Sequence, residues 1–240
     1  LDLPDEFFDE TVDVSPLVAE EDQLGDRGLV MVDTEDPLCA AATLFHMQDY
    51  TVTAFTENQL FHRLLEKLAR PIHARTEQVA REFPGRLWRI YGPEYASEPY
   101  LPPRLFNEYV VRYVRPMVES IQRYGGFVRI HCHGRIRNIL EQIVAMGADA
   151  IDPIEPPPLG DVDLAFVRRE YGENLVLFGN LEVSDIENSN PAEFDKTVCS
   201  SLEHGTSGSG RGFVLMPSAS PIGRRVSPRT MQNYEQLSDE

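Results

Sequence analysis

Two histidines one residue apart, His131 and His133 in FVRIHCHG, are the feature of this chain most able to do chemistry. Strand side chains alternate, so Arg129, His131 and His133 share one face and Val128, Ile130 and Cys132 the other. The apolar set must face helices, which directs both imidazoles to the open side and leaves Cys132 behind them as a small hydrophobe. Imidazoles at i and i+2 can reach one divalent ion, or one can pass a proton beside the other. They can also be structural rings satisfied by backbone.

Carboxylates gather near the ends of other apolar runs: Asp33 and Glu35, Glu94 and Glu98, Asp152 and Glu155, and Glu182. Any of them could hold a proton, orient an imidazole or give an oxygen to a metal. Glu155 is the best placed, because Pro153 and Pro156-Pro157-Pro158 restrict the loop that carries it. Glu94 is a second acid–base candidate, and Asp161 and Asp163 are expected only to cap the following helix. Arginines form another group. Arg135 and Arg137 are expected in the first turn of a helix after His133, where the dipole disfavours cations unless an anion offsets it. Arg224, Arg225 and Arg229 follow the last strand, and converging guanidiniums would grip a carboxylate or phosphate, unless they pair with nearby acids. Tyr91, Tyr95 and Tyr100 would line a pocket or simply pack their loop.

The elements that must position these groups alternate between short apolar runs and amphipathic stretches. GLVMVD, RLWRIYG, FVRIHCHG, ADAID, NLVLFGNLE and GFVLMPSAS read as strands. Helices are expected from Thr56 to about Phe83, from Pro103 to Arg123, over RIRNILEQIVAMG and over DVDLAFVRREYG; two more open at Asn190-Pro191 and Ser227-Pro228, with Pro71 and Pro116 kinking or splitting theirs. About six strand–helix units result. No Gly-rich dinucleotide loop follows any strand, so an α/β fold of the (β/α)8 barrel type, incomplete by two units, is favoured over an open doubly wound sheet. Residues 1–27 are acidic and without clear period and are expected to be a connection; residues 28–240 form the barrel domain. The chain starts at Leu1 rather than methionine, which suggests a fragment or a processed chain.

A formal charge of −17 disfavours nucleic acid, since phosphate neutralisation needs basic patches. No apolar run is long enough to span a membrane and no signal peptide opens the chain. Three scattered cysteines suit a reducing compartment, so a cytoplasmic location is expected.

Taken in order, GLVMVDTEDPL, WRIYGPEYASEPYLPPRLFNEYVVRYVRPM, VRIHCHG, GADAIDPIEPPPLGD, LVLFGNLE and GFVLMPSASPIGRRVSPRTMQNY resemble the last six units of the uroporphyrinogen decarboxylase superfamily, over about residues 28–236. That superfamily also holds cobalamin-dependent methyltransferases. The resemblance implies a TIM barrel that often dimerises. Methyltransferase members bind zinc through an H-x-C-G segment and a cysteine after the last strand. The matching positions here are His131 and His133, while Pro217-Ser218-Ala219-Ser220 offers no cysteine, so Glu155 or another carboxylate would have to complete a zinc site. The first expectation is therefore metal-assisted methyl transfer involving a corrinoid carried by a partner protein. The second is a metal-independent decarboxylase of a poly-carboxylated substrate such as uroporphyrinogen, and the third a non-catalytic barrel that binds an anion.

Overall fold

The computed structural model describes residues 1–4, 10–221 and 225–239. Arg224 lies outside the described residues. The chain divides into two compact units, Leu1–His131 with Asn138–Asp149, and Cys132–Arg137 with Ala150–Glu240.

In the first unit the elements run α1 (Ser15–Leu24), β1 (Met31–Glu35), α2 (Pro37–Ala42), α3 (Met47–Thr56), α4 (Asn58–Glu82), β2 (Leu87–Tyr91), α5 (Pro103–Phe106), α6 (Arg112–Arg123), β3 (Phe127–His131) and α7 (Leu140–Ala145). The strands are parallel in the order β1-β2-β3, with Thr34, Ile90 and Ile130 in register. Val32, Thr34, Trp88, Ile90, Val128 and Ile130 are buried, whereas Asp33, Glu35, Arg89, Tyr91 and His131 on the alternate face keep access to solvent and Arg129 on that face is buried. A strand with one buried and one open face produces that alternation.

Helix α4 buries Phe61, Leu65, Ala69, Ile72 and Val79, three or four residues apart, so one stripe faces inward. Pro71 does not split it, because apolar burial continues on both sides of the single lost hydrogen bond. Pro116 is accommodated within α6, and the π turn Asn107–Val111 joins α5 to α6 without a break. His73 of α4 donates from Nε2 to the Tyr113 carbonyl of α6 at 2.8 Å.

Two expectations about the helices are corrected. Residues 15–24 are helical although they bury nothing, so no apolar period marked them. Val12 and Gln78 exchange two hydrogen bonds of 3.1 and 2.9 Å just ahead of that helix. The helix expected over RIRNILEQIVAMG begins only at Leu140, and Arg137–Ile139 is turn. Ile136 and Ile139 are buried nonetheless, which shows that their spacing reported burial and not conformation.

In the second unit the elements are β4 (Ala150–Asp152), α8 (Leu164–Tyr171), β5 (Val176–Leu181), α9 (Val183–Asn188), α10 (Pro191–Gly205), β6 (Phe213–Pro217) and α11 (Pro228–Asp239). The parallel order is β4-β5-β6. Leu181, Ile186, Phe194 and Val198 form a closed apolar cluster, with Leu202, Leu215, Tyr234 and Leu237 against it. Each such fully buried side chain contributes about 1.5–3 kcal/mol. Asn190 caps α10 through Glu193 N at 3.0 Å, Ser227 caps α11 through Thr230 N at 3.1 Å, and Asp163 caps α8 through Phe166 N at 2.7 Å. The six strands thus fall where their sequences place them, three to a unit and each followed by helix, as in an incomplete (β/α)8 barrel.

Candidate acid–base site

In the first unit Glu35, Tyr91 and His131 stand in register at the carboxyl ends of β1, β2 and β3. Glu35 pairs with Arg75 at 3.0 Å. Glu94 turns back on its own loop, accepting from Gly92 N at 3.1 Å, and Glu98 accepts from Asn138 Nδ2 at 2.7 Å. Tyr95 is held at its carbonyl by the Tyr50 hydroxyl (2.8 Å), with the two rings edge to face at 6.1 Å. Burial, then the charge of Glu35, raises the Tyr91 phenol above its ordinary pKa. Sequence reasoning missed Asp36, which is fully buried at the head of α2. Its Oδ1 accepts from Cys39 N at 2.6 Å, its Oδ2 has no partner among the described residues, and burial pushes its pKa well up. Asp-Pro at a strand end could have signalled the cap but not the burial.

In the second unit the loop after β4 brings Glu155 against His133. Imidazole Nδ1 and Glu155 Oε1 are 2.8 Å apart, and the other carboxylate oxygen accepts from Gly134 N at 2.6 Å. His133 stays partly exposed while Glu155 is buried. The loop is built for this placement. Ile154, buried and next to Glu155, has φ +55°, a sterically disfavoured conformation for a β-branched residue that costs on the order of 1–3 kcal/mol. At Gly179 of β5 (φ +153°) a Cβ would stand 2.3 Å from the Pro153 carbonyl, so only glycine lets that strand approach the loop.

Glu182, which follows β5, is buried. Its pKa is pushed up to about 7, first by burial and then by the charge of Glu155. Ser218 Oγ donates to its Oε2 at 3.1 Å; Oε1 has no partner among the described residues. The sequence placed Glu182 among the strand-end acids without singling it out.

The arginines separate. The Arg135 side chain is exposed and makes no ion pair or hydrogen bond among the described residues. Arg137 is engaged structurally: its Nε donates to the Asp161 carbonyl at 3.1 Å and its guanidinium lies 4.3 Å from the centre of the Phe166 ring. Arg225 is exposed. Because no helix starts at Arg135, the dipole argument for an anion beside Arg135 and Arg137 does not hold.

Of the three residues expected to hold zinc, His133 and Glu155 come together in the second unit, and His131 belongs to the first. Among the described residues no three His, Cys, Asp or Glu side chains are grouped to hold a metal ion. Both Glu155 oxygens are already engaged, one by His133 Nδ1 and one by backbone. An imidazole whose Nδ1 faces a carboxylate keeps Nε2 for proton exchange.

The family model for Uroporphyrinogen decarboxylase (URO-D) matches residues 11–232, nearly the whole chain. The chain belongs to the uroporphyrinogen decarboxylase family. The α/β barrel architecture of its six strand–helix units accords with that membership, and the family makes it an enzyme of decarboxylase or related type. No curated protein matches it. Among the described residues no helix is long and apolar enough to cross a membrane.

Proposed function

We propose that this member of the uroporphyrinogen decarboxylase family is a metal-independent decarboxylase of a small poly-carboxylated substrate, in which His133 exchanges the proton. The observation that carries this reading is the 2.8 Å contact between His133 Nδ1 and a Glu155 carboxylate that Gly134 N holds by its other oxygen. When the bond to the departing carboxylate breaks, its electron pair stays on the substrate carbon and carbon dioxide leaves. The imidazolium of His133 then delivers a proton from Nε2 to that carbon, and Glu155 stabilises the cation beforehand. Arg135, exposed two residues from His133, would hold a second carboxylate of the substrate by paired hydrogen bonds. Tyr91 and Tyr95, expected to line a substrate pocket, belong to the first unit.

Carbon dioxide release from uroporphyrinogen and from simpler poly-carboxylates is the direct test. His133→Ala should lower kcat by about 10²–10⁴-fold, and Arg135→Ala should raise KM more than it lowers kcat. No release from any of these substrates, or an unchanged rate in His133→Ala, rejects the reading. Metal-assisted methyl transfer to a corrinoid protein needs ligands beyond the His133–Glu155 pair. Close to one zinc per chain in unchelated protein, lost on replacing His131 or His133, would favour it instead. Binding of an anion that survives replacement of both histidines, without turnover, would favour a non-catalytic role.

A further inference from the structure

The loop that supplies Glu155 also supplies Asp161, and these two carboxylates hold successive points of the segment that carries His133. Glu155 takes the imidazole and Gly134 N. Asp161 Oδ1 then accepts from Ile136 N at 2.9 Å and Arg137 N at 3.1 Å, and Arg137 Nε returns to the Asp161 carbonyl at 3.1 Å. Accepting two consecutive backbone N–H groups is what a helix N-cap does, yet the helix begins only at Leu140. Asp161 therefore stabilises no helix end, and its hydrogen bonds fix a turn. Just ahead of that turn Ile136 is fully buried and Arg135 exposed. The loop is closed on itself by Gly160 N donating to the Pro156 carbonyl at 3.0 Å. A Cβ on Gly160 would lie 1.8 Å from the Glu155 carbonyl oxygen, so any side chain there must displace Glu155.

We propose that Asp161 is a positioning residue, which through Gly160 on one side and Ile136–Arg137 on the other sets the His133 ring against Glu155 and turns Arg135 outward. The catalytic consequence rests on the reading of His133 as the proton donor; the geometric claim does not. Glu155 touches one side chain and one backbone group of the His133–Arg137 segment, just after Cys132 N donates to the Asp152 carbonyl at 2.9 Å, and a segment held at one end can swing. Two further bonds at Ile136 and Arg137 remove that freedom, and misplacement by about 1 Å can cost on the order of 10²-fold in rate.

The test uses protein with isotopically labelled histidine, in which the Nδ1–H proton shared with Glu155 gives a far-downfield NMR resonance independent of turnover. In Asp161→Ala that resonance should broaden or disappear while the protein stays folded, and kcat should fall about 10–100-fold with a smaller change in KM. Asp161→Asn keeps an acceptor oxygen and should restore both. An unchanged resonance and kcat in folded Asp161→Ala overturn the proposal, as does loss in Asp161→Asn equal to that in the alanine variant. If Asp161→Ala does not fold, Gly160→Ala should lose the resonance with Asp161 intact, and retention there overturns the proposal instead. Wild-type protein that shows the resonance but releases no carbon dioxide would sink the decarboxylase reading and leave the positioning role standing.

Discussion

A carboxylic acid buried beside a second carboxylate is costly when ionised, and Glu182 carries that cost in this chain. Its folded pKa of about 7 lies above the ordinary 4.5, so between those values the folded state binds a proton that the unfolded state has already released. Stability from this group is fully present below about pH 4.5 and is lost as pH rises through 7. The span is on the order of 3 kcal/mol. Glu182→Gln, neutral at every pH, should remove that decline and be the more stable protein at pH 8, with the difference closing near pH 4 in urea unfolding curves. Equal stability of the two proteins at pH 8 would show that Glu182 is not held neutral. The residue could not have been singled out from LFGNLE, because nothing local in that segment says that Ser218, Glu155 and an apolar cover meet it in space. Glu155 was legible for the opposite reason: four prolines around it restrict its loop before any tertiary contact forms.

Local chemistry decided most of the elements. Asn190-Pro191 and Ser227-Pro228 open helices as their types predict, and Asp163 caps α8 as expected, because an N-cap bond closes within three residues. Asn190→Ala should cost about 1 kcal/mol in chemical denaturation, with no change in the His133 resonance. A loss above about 3 kcal/mol, beyond the range of capping effects, would mean that Asn190 does more than cap. Asp161 breaks the pattern: expected to cap the helix that follows it, it binds backbone 24 and 25 residues upstream. No local rule foresees a capping side chain supplied from so far along the chain. The same contact explains why Arg135–Ile139, rich in helix formers and spaced like a helix, is not helical.

Across the whole molecule the charge of −17 sets the background. Self-repulsion on that scale destabilises a compact state and is screened by salt. The melting temperature should therefore rise between about 10 mM and 500 mM sodium chloride, by roughly 2–4 °C if screening is worth about 1 kcal/mol. A fall over that range would mean that specific ion pairs such as Arg75–Glu35 outweigh the net repulsion. An anionic substrate approaching such a surface needs a local cation, which gives the exposed Arg135 its weight.

Strand positions and the barrel class were determined by the sequence alone, since apolar alternation, turn-formers and caps act over a few residues and survive any particular packing. Tertiary structure alone decided which carboxylate meets His133 and by which oxygen, that Asp36 and Glu182 are buried with an oxygen unpartnered among the described residues, and that Arg137 is spent on Asp161 and Phe166 while Arg135 is not. Each of these depends on residues tens of positions apart arriving at one place, and on the loss of water there. Neither distance nor desolvation is written in the order of neighbouring residues.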